Sequence, residues 1–352
     1  MALPFLKRAK TPIHQRIQSD DATRLRLKYD TYYHIFEKQE GTRVWKEGRE
    51  FIMLSSNDYL GLTHHPKVKE AGQRAIQEWG ASTTGARLAN GGRTFHRELE
   101  EELAAFIGKE ACHVFSAGYL ACASAVTGFA DRKDILFADK NLHSSLLSGI
   151  KLSGARCERF AHNNPLHLRE LLSYEEKNDA KIFVLEGVYS MEGHIAKLPD
   201  FVELAKEHRA FVVVDDAHGF GTLGKTGAGA GEEQGVQDEI DVYFATFAKS
   251  LASTGAFIAS DKEIIDFLKY NMRSQVFAKS LQMQLVEGIL KRLDMLRSRP
   301  EFKQKLWDNV NKLQSGLKER GFDIGTTQSC VTPVYLKGSV PEAMALVKDL
   351  RE

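Results

Sequence analysis

The chain has 352 residues, enough for two or three domains, and its 43% hydrophobic content can build a large core. Its 48 lysines and arginines balance 47 acidic residues, which excludes the electrostatic footprint of a nucleic-acid binder or of a protein held by charge on an anionic membrane. Four scattered cysteines, Cys112, Cys122, Cys157 and Cys330, form no C-x-x-C pair, so neither a zinc site nor a redox motif is expected, and they read as reduced packing residues.

Met1 to Lys10 sets basic residues beside an apolar patch too short for the core of a signal peptide, and no run approaches the roughly 18 apolar residues of a membrane span. A cytoplasmic protein is expected, with membrane contact at most peripheral and through this N-terminus. Residues 12 to 50 are charged, with apolar positions at helical spacing, and complete a predicted helical arm over 1–50. From 51 to 262 the pattern changes to short apolar runs, each ending in a polar or glycine-rich turn and followed by a helical segment. That alternation predicts an α/β domain. The expected strands are Cys112 to Phe115, Ile135 to Ala138, Lys181 to Leu185, Phe211 to Val214, Val242 to Ala245 and Phe257 to Ala259. Most are apolar throughout, as a sheet covered on both faces requires. Residues 263–352 read as linking helices, Glu287 to Arg297 and Phe302 to Arg320, followed by a strand over Thr332 to Leu336 and a helix from Pro341. The chain reaches Glu352 within that helix without a capping glycine or proline, so this smaller domain is expected to be partial.

Candidate chemistry sits where the strands end, because loops there meet helix N-termini. FVVVDDAHGFG, 211 to 221, puts Asp215 and His218 directly after a buried strand. A carboxylate there is unfavourable unless a cation pairs with it, although a turn cap and a structural histidine account for this segment equally well on its own. VYFATFAKSLASTG, 242 to 255, places Lys249 among small and hydroxyl residues, with Thr246 before it. Burial lowers an amine's pKa toward a nucleophile able to form a Schiff base. In VFSAGYL, 114 to 120, a strand runs into a small-residue turn that opens a helix, where free main-chain N–H groups suit a phosphate and Ser116 adds a hydroxyl, although many strand-to-helix turns contain Ser and Gly. His143 follows another strand end, where an imidazole stacks on a flat ring or simply starts a helix. EGVYSMEG, 186 to 193, offers Ser190 as a short hydroxyl. The polar loops SSNDYLGL, 55 to 62, and GASTTGARLANGG, 80 to 92, look like binding loops. A ring with a pyridine nitrogen, a phenolic oxygen, an aldehyde and a phosphate would use the whole set: the aspartate keeps the ring nitrogen protonated and the lysine holds the aldehyde. A nucleotide-binding dehydrogenase domain is disfavoured, since no G-x-G-x-x-G follows an early strand.

SSNDYLGL, the HNN of 162 to 164, EGVYSMEG, VDDAHGFGTLGKTGAG and TFAKS, in this order, resemble segments of the α-oxoamine synthases, a family within the aspartate-aminotransferase-like pyridoxal-phosphate enzymes. The resemblance runs from about residue 45 to the end. It implies a large domain with a mostly parallel sheet covered by helices, here 51–262, and a smaller α+β C-terminal domain. It implies pyridoxal 5'-phosphate (PLP) as cofactor, with Lys249 as its Schiff-base lysine and then the base that removes the substrate Cα proton. Asp215 is then the partner of the pyridinium nitrogen, His218 a hydrogen-bond partner of the ring oxygen and His143 the residue stacked on the ring. Ser116, Gly118, Tyr119, Thr246 and Ser190 contact the cofactor, and Asn57 lies near the substrate carboxylate. The implied reaction is decarboxylative condensation of an amino acid with an acyl-CoA to an α-oxoamine, in a homodimer with the active site at the subunit interface.

Residues 243 to 274, the HNN and GFDIGTTQSCVTPVYL are most similar to the bacterial serine palmitoyltransferase branch, which condenses L-serine with palmitoyl-CoA to 3-ketodihydrosphingosine. Branches of 8-amino-7-oxononanoate synthase or glycine C-acetyltransferase type, and a non-catalytic partner subunit of the same fold, are the alternatives. Two departures from the family pattern are Ala248 before the lysine and Ala278-Lys279-Ser280 in place of a more hydroxyl-rich segment. The family's carboxylate-binding arginine belongs to a C-terminal stretch beyond Glu352, so the substrate half of the site is expected to be incomplete in these residues.

Overall fold

The computed structural model describes residues 11–20, 32–175 and 180–351, and these divide into two units, one of residues up to Ser55 together with those from Tyr335, the other Ser56–Val334. Met1 to Lys10, where peripheral membrane contact was expected, lie outside the described residues. No helix among the described residues is long and apolar enough to cross a membrane.

In the first unit the predicted helical arm is corrected. Among the described residues of the arm Pro12–Ser19 is helical, and the next described elements are three short strands, β1 (Lys38–Glu40), β2 (Arg43–Lys46) and β3 (Arg49–Ile52), in an antiparallel meander. Gly41 and Gly48, both at positive φ, supply the tight turns, and a turn every few residues leaves no room for a helix. A helix over Val340–Asp349 belongs to the same unit.

The second unit is organised by a seven-stranded sheet. Its strands are β4 (Ala111–Phe115), β5 (Ile135–Asp139), β6 (Arg156–Phe160), β7 (Lys181–Glu186), β8 (Phe211–Asp215), β9 (Val242–Thr246) and β10 (Ala256–Ser260), in the order β4-β10-β9-β8-β7-β5-β6. Pairings among β5 to β9 are parallel, and β10 runs antiparallel to both neighbours. β5, β7, β9 and β10 are buried along their whole length, which is why their sequences carry no polar alternation. β6 was not anticipated: RCERF is an edge strand buried only at Phe160, so it lacks the apolar run that marks a central strand. Conversely, Thr332 to Leu336 forms no ladder, and Pro333 has no N–H to donate to one. The sheet core is aromatic, with Phe137 edge-on to Phe183 at 5.9 Å and Phe220 to Phe257 at 5.1 Å; each fully buried ring contributes roughly 1.5–3 kcal/mol.

Because β5, β7, β8 and β9 are parallel and β10 is reversed, one edge of the sheet collects the C-terminal ends of the parallel strands and the start of β10. Register makes this concrete: Glu186 pairs with Asp215, Asp215 with Phe244, and Ala256 with both Thr246 and Phe115.

One buried acid beneath this edge sets a pH dependence. Asp216 is fully enclosed, its Oδ2 accepting from the Ala230 N–H (2.7 Å) and the Tyr243 hydroxyl (3.1 Å), while Oδ1 has no partner. Burial, only partly offset by those donors, raises its pKa from an ordinary 3.8 to about 7. An acid raised on folding contributes most below its unfolded pKa, and that contribution is lost as pH rises through the folded value, here of order 4 kcal/mol. Asp216→Asn keeps an acceptor for both donors without the charge. Its melting temperature relative to wild type should therefore climb by several degrees between pH 4 and 7 and level off above. A difference that is flat with pH in calorimetry would refute this assignment.

Candidate active site

A cavity of about 430 Å³ opens at that edge, lined by Ser116, Gly118, Tyr119, His143, Ser190, Asp215, His218, Thr246 and Lys249. The fold thus brings together residues spread over more than a hundred positions, every one expected at the cofactor. Asn57 is not part of the lining. It is exposed, and its Oδ1 lies 3.4 Å from the Tyr59 hydroxyl. Neither polar loop lines the cavity. The 80–92 loop is tied to Ser280, whose hydroxyl donates to the carbonyls of Gly85 (3.1 Å) and Gly91 (2.8 Å), so the serine of the departing Ala278-Lys279-Ser280 segment is buried in support of that loop.

Lys249 is carried on the turn between β9 and β10. The turn is closed by Ala252 N–H to the Lys249 carbonyl (2.8 Å), Ser253 N–H to Phe247 (2.8 Å) and the Thr246 hydroxyl to the Gly255 carbonyl (2.9 Å). Arg292, itself buried, donates to the Ala252 carbonyl at 3.1 Å, pinning a residue held at φ +45°. Gly255 sits at φ +95°, where a Cβ would lie 2.6 Å from the Phe115 carbonyl, so only glycine lets the turn approach β4. Burial lowers the Lys249 pKa, opposed by the nearby charges of Asp215 and Glu186. The result is an amine that deprotonates more readily than a surface lysine.

Asp215 ends β8 in the cavity wall. Its Oδ1 accepts from the Ala217 N–H (3.0 Å) and its Oδ2 from the Cys122 thiol (3.2 Å). Burial and the adjacent carboxylate keep the Cys122 thiol protonated. His218 is driven the other way: burial, then the charges of Lys249 and His143, lower its pKa to about 3, so the ring is neutral. Its Nδ1 lies 2.7 Å from the Tyr59 hydroxyl, whose pKa burial pushes far up. The protonated phenol and the neutral ring are thus held in hydrogen-bond contact at Nδ1. His143 proves to be an N-cap and a cavity residue at once. Its Nδ1 accepts from the Ser145 N–H (3.3 Å) at the start of helix Ser144–Ser153, while its main-chain N–H donates to Glu186.

Glu186 is a second carboxylate in the same wall, raised well above the ordinary range first by burial and then by Asp215. With Tyr59, Cys122, Ser145 and Thr254 it belongs to the residues that sequence reasoning missed. Glu186 had a usable signal, a carboxylate closing an apolar strand, whereas Cys122 lies inside a helix of small residues and carries none.

The helix Gly118–Thr127 begins without a side-chain cap, so its N-terminus presents unpaired N–H groups to the cavity. Only 3.1 Å would separate a Cβ at Gly118 from the Thr246 hydroxyl, so the glycine keeps this corner open. Anion donors at one end, a carboxylate and a neutral histidine in the walls and a desolvated amine form a donor set that fits PLP's phosphate, ring nitrogen, ring oxygen and aldehyde.

Comparison with known proteins shows the family. The family model described as aminotransferase class I and II matches residues 49–352. A cysteate-C-fatty acyltransferase of Capnocytophaga ochracea is 47% identical over 329 residues, covering 91% of this chain and 78% of that protein. A serine palmitoyltransferase of Sphingobacterium spiritivorum is 38% identical over 308 residues, 88% of this chain and 77% of that protein. Among solved structures, the serine palmitoyltransferase of Sphingomonas wittichii superposes with a TM-score of 0.88 at 33% identity, covering 94% of this chain and 84% of that one. That of S. paucimobilis, with PLP and myriocin bound, superposes with a TM-score of 0.91 at 31% identity, covering 97% and 90%. The chain belongs to the aminotransferase class I and II family and, within it, to the α-oxoamine synthases, a branch of PLP-dependent acyltransferases.

Proposed function

We propose that this chain binds PLP through Lys249 and condenses an amino acid with a fatty acyl-CoA, releasing CoA and CO2 to give an α-oxoamine. The observation that carries this reading is that Lys249 and Asp215 issue from the neighbouring strands β9 and β8 into one cavity, with an uncapped helix N-terminus in its wall. PLP supplies an electrophilic carbonyl and an electron-withdrawing ring. The chain does the rest. Asp215 holds a proton on the ring nitrogen, His218 hydrogen-bonds the ring oxygen, and His143 covers a ring face. Ser116, Gly118, Tyr119 and Thr246 hold the phosphate, and Ser190 approaches the ring. Lys249 takes the Cα proton of the substrate. A C–C bond then forms between Cα and the thioester carbonyl, the C–S bond breaks to release CoA, and the bond to the carboxylate breaks to release CO2. In this reading Asn57, outside the cavity lining, meets the substrate carboxylate when substrate is bound. Residues 51–262 act as the cofactor-binding domain of a cytoplasmic homodimer.

Two amino acids compete. Sequence segments favour L-serine with palmitoyl-CoA, whereas the 47% identity to the Capnocytophaga protein favours L-cysteate, which carries a sulfonate where serine has its hydroxyl. Titrating the PLP-loaded protein with L-serine, L-cysteate and glycine, followed by acyl-CoAs of increasing length, separates them. The true substrate should perturb the visible band at a concentration at least tenfold lower than the other two and yield a CoA-releasing product of the matching mass. A response to glycine alone would remove both readings, and a protein that takes up no PLP would remove the function itself.

A further inference from the structure

Asp139 closes β5 with its carboxylate completely enclosed, at 0% exposure, and it contributes nothing to the cavity lining. Four donors converge on it. Oδ1 accepts from the Asn141 N–H (2.8 Å) and lies 3.0 Å from His162 Nδ1, while Oδ2 accepts from the Asn163 N–H (2.7 Å) and the Tyr189 hydroxyl (2.9 Å). That fills the acceptor capacity of a carboxylate, a filling that offsets the unfavourable burial of its charge.

The donors come from three different loops. Asn141 lies two residues before His143, Tyr189 one residue before Ser190, and His162 and Asn163 belong to the HNN segment after β6. Cross-links tighten the same loops: Asn141 Nδ2 donates to Glu192 (2.8 Å), Asn163 Nδ2 to the Ile195 carbonyl (2.9 Å), and Lys197 N–H to Asn163 Oδ1 (2.9 Å). A histidine pair extends the chain, with His162 Nε2 2.9 Å from His194 Nδ1 and His194 Nε2 2.9 Å from the Thr326 hydroxyl. The two imidazoles are stacked at 21°, and the Tyr189 ring stands edge-on to His162 at 4.4 Å. Removing one buried acceptor here would leave several donors without partners.

We infer that Asp139, through Tyr189, Asn141 and the His162–His194 pair, is the positioning residue that fixes where His143 and Ser190 stand against the cofactor. The inference rests on the PLP reading above, since it concerns the placement of two groups proposed to touch the ring. Asp139 itself touches neither substrate nor cofactor. The electrostatics agree with the geometry. Burial pushes the Asp139 carboxyl up, but His162 and the two main-chain N–H groups outweigh it and hold the group below its ordinary value; burial likewise pulls His162 down, and the Asp139 carboxylate reverses this.

The test uses the PLP-loaded wild type, Asp139→Asn and Tyr189→Phe. PLP is achiral, so circular dichroism in its visible band reports the asymmetric placement of the groups around the ring, which a change in general stability does not move. Asp139→Asn should weaken PLP binding about tenfold and alter the dichroic band. Tyr189→Phe, which withdraws one donor and fills the same space, should shift the band in the same direction by less. An Asp139→Asn protein with the wild-type dichroic spectrum and PLP affinity overturns the inference. Should Asp139→Asn not fold, Tyr189→Phe decides alone: a changed band supports the inference and a wild-type band overturns it. Failure of the PLP reading would show separately, as a wild type with no visible band.

Discussion

Lys249→Ala should abolish the visible absorption of the PLP-loaded protein and lower kcat by at least about four orders of magnitude, because the proposed function gives one side chain two tasks. As nucleophile it needs an uncharged amine, and burial favours this by lowering the pKa against the pull of Asp215 and Glu186. As base it must reach the Cα of a substrate in the same cavity, and the closed turn from Phe247 to Gly255 leaves the lysine stem as the moving part. Ala248 on that turn is exposed, so the alanine before the lysine fills no buried space. The substitution removes no hydrogen bond of the turn, all of which are made by main chain, Thr246 or Arg292, and the apo-protein should melt within about 1–2 °C of wild type. A variant that keeps both the band and the turnover would remove Lys249 from the mechanism.

Asp215→Asn should lower kcat by about three orders of magnitude while PLP still binds. An amide cannot stabilise a proton on the ring nitrogen, and the withdrawing power of the ring depends on that proton. The fold tolerates the change, since the Asn carbonyl can still accept from the Ala217 N–H and the Cys122 thiol can turn. The pH profile tells this loss apart from damage to Lys249. The Asp215 charge raises the lysine pKa, so its removal should move the corresponding limb of the kcat profile to lower pH even as the maximum falls. A limb that stays in place, or a loss below tenfold, would mean that Asp215 does not face the ring nitrogen. Glu186 responds as well, for Asp215 is one of the charges that hold its pKa up. Two adjacent strand-end carboxylates therefore share one site, with Glu186 accepting from the His143 main-chain N–H and its pKa raised by burial and by Asp215.

Strands that are buried on both faces were legible because a short, continuous apolar run between turns is stable only where both of its faces are covered; FVVVD and VYFAT became β8 and β9 within one residue of expectation. Elements whose burial is partial were not. β6 reads as polar because it lies at the sheet edge, and the meander of residues 38–52 reads as a charged helix because most of its side chains face solvent. Site residues followed the same logic. Asp215, His218 and Lys249 stood out because a polar group directly after a buried strand is unfavourable unless a partner or a ligand meets it, whereas Asp139, equally buried, was passed over because its partners lie 2 to 50 positions away along the chain.

Sequence by itself determined the class of sheet and the order of the chemistry-bearing loops along it, and singled out Lys249 as the candidate nucleophile, since each depends on the composition of a short segment. Tertiary structure decided the protonation of those groups and the company they keep. His218 is neutral because burial and the charges of Lys249 and His143 lower its pKa, and Glu186 is raised because it is buried and the parallel register sets it beside Asp215. Desolvation and charge proximity act through space, and no local pattern of residues records them.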